Sequence, residues 1–285
     1  MKLATFGGDF STELGVVDGD ALIPLHKVDP GLPRDMTALI ARWDGVKTRV
    51  ADIAATSRER IALDKLRLRQ PILRPGKLMA LGRNYAEHAK ESGSAPPDKQ
   101  IWFCKQGTSA NGPHDPIDLP RVSDQLDYEA ELVVVIGRRA KHVPPDKALD
   151  HVFGYACGND VSVRDWQKMT QQWVIGKGFD THAPFGPWIT TADEIADPQT
   201  LGIRCRVNGE SRQSSNTREM IFPVADQIAL LSQAMTLEPG DILFTGTPEG
   251  VAMGMTPPKW LKVGDRVQVE IDGLGSLDNA VRAEP

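Results

Sequence analysis

Apolar residues recur in short blocks for most of the chain, and Gly, Pro, Asn and Asp separate the blocks. This is the pattern of strands joined by turns. "LGVVDGDALIPL" (14–25) sets Asp18-Gly19 between two apolar runs and predicts a hairpin. "MTALIARW" (36–43) and "RVADIAATS" (49–57) have the spacing of short helices. "LRLRQPILRPGK" (66–77) closes this region with a strand and prolines. "KLMALG" (77–82) then reads as a strand and "NYAEHAKES" (84–92) as a short helix. "GSAPPDK" (93–99) cannot continue a helix, so this helix is flanked by loop and has the form of a lid. Beyond residue 100 the strand blocks are "IWFCK", "AELVVVIG", "VFGYACGND", "GPWITT", "IRCRVNG", "DILFTG" and "DRVQVEIDGLG". Two helical patterns interrupt them, "SVRDWQKM" (162–169) and "FPVADQIALLSQAM" (222–235). The fold class expected is α+β, predominantly β, and not an alternating βαβ chain. Residues 1–72 read as a small N-terminal α+β module and 73–285 as a larger domain.

Composition narrows the function classes. The 285 residues are 40% hydrophobic and 25% charged, with a formal net charge of −5. No Lys/Arg-rich run is present, so nucleic acid is not an expected partner. No apolar stretch reaches the roughly 18 residues of a membrane span. The opening "MKLATFGGDFSTELG" shows no hydrophobic signal core, and the three cysteines form no CxxC; both point to a reducing, cytoplasmic setting without a zinc–thiolate site.

"DYEAELVVVIGRR" (127–139) poses the chemical question. Leu132 to Ile136 form a β-branched strand, and Glu129 and Glu131 sit at its mouth. Side chains two apart share a face, so two like charges project together where burial is costly. A hard divalent cation offsets such a pair. Asp160, in "GYACGNDVSVRDWQ", ends another strand and offers a third carboxylate. Taken singly, Glu-x-Glu is also an ordinary solvated pair, and Asp160 an ordinary helix N-cap.

These residues resemble the fumarylacetoacetate hydrolase family in its larger C-terminal domain. "LGRNYAEHAKESG" is similar to the family's Gly-Arg/Leu-Asn-Tyr segment and His-x-x-Glu lid helix, and "DYEAELVVVIGRRAKHV" to its Glu-x-Glu strand. "GYACGNDVSVRDWQ", "GKGFDTHAPFGPWI", "VNGESRQSSNTREMIF" and "ILFTGTPEGV" follow in the family's order, over about residues 75–280. The resemblance implies a mixed β-roll catalytic domain, a homodimer, and Mg²⁺ or Mn²⁺ held by Glu129, Glu131 and Asp160. It further implies a metal-dependent C–C hydrolase that converts small-molecule 2,4-dioxo acids to pyruvate and a second acid.

Roles for single residues follow from that resemblance. His88 is the candidate base and Glu91, three residues on, the group that orients it; the same pair is also found solvated on exposed helices. Lys177 would place positive charge by the developing enolate or the substrate carboxylate. Arg83, Gln167 and Thr247 are candidate substrate-binding residues, and Arg164 is a brace for a ligand carboxylate. Gly178, Glu249 and Ala252 depart from the family pattern near the substrate tail. "MGMTPPKWLKVGD" resembles a subgroup that acts on deoxy sugar acids, which makes 2,4-diketo-3-deoxy-L-rhamnonate the leading substrate expectation. Oxaloacetate decarboxylation and 2-hydroxyhepta-2,4-diene-1,7-dioate isomerisation are the alternatives that keep the site. A non-catalytic binding protein is the alternative that does not.

Overall fold

Every residue of the Ala130–Ile136 strand is buried, and its two faces feed two cores. Leu132, Val134 and Ile136 pack with Ile203, Val269 and Leu277 of a second sheet and with Ile228 and Leu231 of a helix. Val133 and Val135 pack with Leu3, Leu39, Val50 and Phe185. Burial on both faces explains a continuous β-branched run where a half-exposed strand would alternate. The computed structural model describes residues 1–9 and 11–285 and has more residues in strands than in helices, as the apolar blocks predict.

Among the described residues the strands form a twelve-stranded sheet and a five-stranded sheet, with one further two-stranded pair. The larger sheet runs in the order Ile61–Ala62, Ala21–Pro24, Thr12–Asp18, Lys2–Gly7, Ala183–Thr191, Val152–Asn159, Ala130–Ile136, Ile242–Phe244, Leu78–Gly82, Ile101–Cys104. Neighbours along this path are antiparallel except Ile242–Phe244 with Leu78–Gly82. The N-terminal strands join the sheet where Leu3 pairs with Ile189. The second sheet orders Glu210–Asn216, Gly202–Val207, Arg266–Ile271, Gly275–Ala283 and Ile117–Leu119.

Several local expectations shift by a residue or more. The first hairpin pairs Asp18 with Ala21, so its loop is Gly19-Asp20 and not Asp18-Gly19. Gly19 takes a φ of 61° at the first central position, which suits a II′ loop. The second N-terminal helix spans Trp43–Thr56 and so begins well before residue 49; Val46, Val50 and Ile53 form its buried stripe. In "SVRDWQKM", Ser162–Val163 is a strand paired with Leu126–Asp127, and helix begins only at Arg164. β-Branched Val163 and its pairing partner override the helical spacing there. The helices Ala86–Glu91 and Val224–Ala234 lie where the periodicity places them.

Gly158 faces Glu131 across the Val152–Asn159 ladder. A Cβ at Gly158 would lie 2.4 Å from Val133 Cγ2 and 2.6 Å from Phe244 Cε1. Gly158→Ala is therefore expected to cost about 1–3 kcal/mol through overpacking. Urea unfolding measures it, and an unchanged midpoint would show that the core yields at no cost.

Candidate active site and metal centre

The Ala130–Ile136 and Val152–Asn159 strands are paired so that Ala130 lies opposite Asn159. Residues just outside this pair, Glu129 and Asp160, are thereby brought together, and the Asp160 N–H donates to the Glu129 carbonyl at 2.9 Å. Carboxylate oxygens of Glu129, Glu131 and Asp160 lie within 4.8 Å of one another, and all three residues are buried. The solvated-pair and N-cap alternatives therefore do not describe these residues; Val163 caps the following helix.

Three buried cations answer the acids. The short helix Val174–Lys177 delivers Lys177, whose Nζ donates to Glu129 Oε2 at 2.6 Å and Asp160 Oδ2 at 2.8 Å. Arg164 donates to Glu129 Oε1 at 2.6 Å and, through Nε, to Asp127 Oδ2 at 2.8 Å. Lys105, fully buried at the end of the Ile101–Cys104 strand, donates to Asp160 Oδ1 at 2.5 Å and to the carbonyl of Val161 at 3.1 Å, and also reaches the carbonyl of Lys177. Asp127, Glu129, Glu131 and Asp160 thus face Lys105, Arg164 and Lys177, which leaves one negative charge in surplus.

The surplus lies at Glu131. Its carboxylate accepts the Gly246 N–H at 2.7 Å and makes no ion pair among the described residues, although the charge of Lys177 acts on it from farther off. Burial, then the charges of Asp160 and Glu129, hold its carboxyl well above the usual carboxylate range. Glu129 goes the other way: burial would raise it, but Lys177 and Arg164 hold it well below. Burial opposes the charge on Lys177, yet Asp160 and Glu129 keep it protonated beyond an ordinary lysine. In Lys105 burial prevails and lowers the pKa. An all-oxygen donor set with an uncompensated buried charge suits a hard divalent cation, so Glu129, Glu131 and Asp160 fit Mg²⁺ or Mn²⁺.

A cavity of about 200 Å³ opens over the triad. Six of the expected site residues beyond the triad divide into five that line it, His88, Lys177, Arg83, Gln167 and Thr247, and Glu91, which acts on His88. His88 Nδ1 lies 2.8 Å from Glu91 Oε1, which leaves Nε2 without a protein partner among the described residues. Glu91 Oε2 in turn accepts the Gly250 N–H at 2.9 Å, so the lid helix is fastened to the 246–254 loop. Gln167 lies in the short Arg164–Lys168 helix and accepts from Arg164 Nη1 at 2.9 Å. Thr247 accepts a hydrogen bond from Gln213 at 2.8 Å. Arg83 has a φ of 58°, a conformation costing a non-glycine residue about 1–3 kcal/mol, and its guanidinium stacks over Trp173 at 5.5 Å. A Cβ on Gly82 would sit 2.3 Å from that indole, so glycine makes the seat.

Four supporting residues escape a sequence reading. Asp127 accepts from Arg164 and from the N–H groups of Ala252 and Met253 at 2.8 and 3.0 Å, and so ties the cluster to the outer loop. Asn84 bonds the carbonyls of Phe222 and Thr245, Gln213 holds Thr247 and Pro248, and Lys105 braces Asp160. Asp127 lies two residues before Glu129, so the period of two was its only signal; the others pair over 34 to 161 positions.

Comparison with known proteins agrees with this geometry. The family model described as fumarylacetoacetate (FAA) hydrolase C-terminal matches residues 77–282. The oxaloacetate tautomerase fahd2, mitochondrial, of Xenopus laevis is 42% identical over 99% of this chain and 90% of its own. A fumarylacetoacetate hydrolase of Exiguobacterium antarcticum superposes with a TM-score of 0.88 at 39% identity, covering both chains fully. A maleylpyruvate hydrolase of Sphingobium sp. SYK-6, solved with manganese(II) and pyruvate, does so at 0.85 and 35%, again over both full chains.

Two outcomes are expected. Asp127→Ala removes one of the two carboxylates of Arg164 and leaves the N–H groups of Ala252 and Met253 without their acceptor, and should cost about 1–3 kcal/mol, read by denaturant unfolding; an unchanged midpoint would show that these bonds are dispensable. Because Glu131 is raised in the folded state, its stabilising contribution is present at low pH and is lost as pH rises through the raised value, whereas a cation requires the ionised form. The rise in Tm on adding Mn²⁺ or Mg²⁺ should therefore grow between about pH 5 and pH 8. An equal rise at both ends would remove Glu131 as the linked group.

Proposed function

The chain belongs to the fumarylacetoacetate hydrolase family, and we propose that it is a divalent-metal-dependent enzyme that cleaves the C3–C4 bond of 2,4-dioxo acids with water. The observation that carries this reading is the His88–Glu91 pair facing a buried three-carboxylate site beside a protonated Lys177. When bound, the cation supplies positive charge that polarises the oxygens of a 2-oxo acid; Mg²⁺ and Mn²⁺ both suit the donors. His88 Nε2 takes a proton from water as its oxygen adds to C4, and Glu91 stabilises the imidazolium so formed. The C3–C4 bond then breaks, C4 leaves as a carboxylic acid, and its electron pair passes through C3 to the C2 oxygen. Lys177 holds positive charge near that oxygen. Proton return from His88 to C3 yields pyruvate. Arg83, Gln167 and Thr247 orient the substrate within the cavity. The 4-acyl group expected from the "MGMTPPKWLKVGD" tail is that of a deoxy sugar acid such as 2,4-diketo-3-deoxy-L-rhamnonate.

A second reading is keto–enol tautomerisation of oxaloacetate, which uses the same base and the same enolate but breaks no C–C bond. The name of the Xenopus laevis relative, similar over nearly the whole chain, favours it.

Pyruvate release from acetylpyruvate, a 2,4-dioxo-3-deoxy sugar acid and oxaloacetate, with Mg²⁺ and with EDTA, separates the readings. Metal-dependent pyruvate plus a second acid supports the hydrolase. Accelerated enol–keto exchange of oxaloacetate alone moves the protein to the tautomerase, and CO₂ release to a decarboxylase. Glu129→Ala and Asp160→Ala should lose cation binding and turnover together. His88→Ala should keep the cation and lose about 10²- to 10⁴-fold in rate; hydrolysis at the wild-type rate in this variant would remove the base assignment.

A further inference from the structure

Asp127 is fully buried, yet it is neither a member of the carboxylate triad nor part of the cavity wall. Each of its oxygens serves two donors. Oδ1 accepts the N–H groups of Tyr128 and Ala252, both at 2.8 Å. Oδ2 accepts Arg164 Nε at 2.8 Å and the Met253 N–H at 3.0 Å. Arg164 carries the connection inward, through Nη2 to Glu129 Oε1 at 2.6 Å and through Nη1 to Gln167 at 2.9 Å. The 250–253 loop carries it outward. There the Gly250 N–H donates to Glu91 Oε2 at 2.9 Å, and Glu91 Oε1 lies 2.8 Å from His88 Nδ1. The Tyr128 hydroxyl donates to the Gly250 carbonyl at 3.0 Å, so two consecutive side chains grip the same loop.

His88 and Glu129 are thereby joined through one run of hydrogen bonds and loop backbone, with Asp127 at its middle. The separation of the two ends matters, because a base acts within hydrogen-bond reach of its proton and a misplacement of about 1 Å costs about 10²-fold. The helix that carries His88 cannot set that separation alone: it has six residues and no side-chain cap. Resting on the roles proposed above for His88 and the triad, we propose that Asp127 is a positioning residue that holds the His88–Glu91 pair in register with the carboxylate triad. Its influence passes through Arg164 to Glu129 and through the 250–253 loop to Glu91. The position requires a carboxylate. All four donors are N–H groups, so a carboxamide turned either way sets its own NH₂ against two of them.

The test is a double-substitution cycle on the full chain loaded with Mn²⁺, with Asp127→Asn, Glu91→Ala and the two combined. Calorimetric titration should show Mn²⁺ still bound in all three, since the triad is untouched. Hydrogen exchange of the lid-helix amides at residues 89–92 should rise roughly tenfold or more in Asp127→Asn, the worth of one charge-assisted bond. With acetylpyruvate as substrate, kcat should fall by about tenfold or more while KM changes little. In Glu91→Ala the link is already cut, so adding Asp127→Asn should alter lid exchange and kcat by less than about threefold. Effects that multiply instead, as a general loss of stability would give, overturn the inference. Unchanged lid exchange in Asp127→Asn also overturns it, and so does loss of Mn²⁺ binding there, which would make Asp127 a part of the cation site. Where Asp127→Asn does not fold, Glu91→Ala reads the same connection from its outer end. The Ala252 and Met253 N–H groups should exchange faster in that variant, and unchanged rates overturn the inference. Absence of turnover by the wild type overturns the reading of the site, while the exchange measurements still decide the role of Asp127.

Discussion

Four carboxylates buried against three cations form the constraint on which the rest of the architecture turns. Asp127, Glu129, Glu131 and Asp160 cannot be taken from water singly, since an unpaired buried charge costs several kcal/mol. Lys105, Arg164 and Lys177 answer three of them, and each comes from a different part of the chain. The acid left over, Glu131, holds its proton more tightly than an ordinary carboxyl and can give it up to a divalent ion. Stability and chemistry are thus coupled at a single point, as is common where ionisable groups are forced together.

The fold brings these groups together by ordinary strand pairing. One antiparallel ladder brings Glu129 and Asp160 side by side, and the double-sided burial of Leu132 to Ile136 fixes its register against slippage. Hydrogen bonds tie the surrounding segments to this floor. Glu91 ties the lid helix to Gly250, and Asp127 ties the cluster to Ala252 and Met253. The Glu91 carboxylate that makes the first of these bonds also lies 2.8 Å from His88 Nδ1.

Proteins similar to this chain carry names that span hydrolase and tautomerase chemistry. The physical reason is that cleavage and tautomerisation of 2-oxo acids pass through the same charge, an enolate at C2–C3. In the function proposed for this chain, positive charge at Lys177 and a base at His88 would serve both. The outer wall of the cavity is shaped by Arg83, which stacks on Trp173 through the space left by Gly82.

Much of the site was legible in local order. Glu129 and Glu131 follow from a period of two, the His88–Glu91 pair from a helical spacing of three, and the β-rich class from short apolar blocks broken by Gly and Pro. Boundaries failed where a partner strand outweighed local preference, as at Ser162–Val163 and in the loop at Gly19-Asp20. Whether Glu129 and Asp160 meet, that Lys105 lies beneath them, and that Arg83 faces the cavity without a partner are settled by contacts between distant segments. A linear chain carries residue types and their spacing, and so fixes which groups are able to ionise, bind or turn. Burial and the pairing of charges arise only when strands far apart in sequence pack against each other, and those two quantities give the same carboxylates opposite shifts at Glu129 and Glu131.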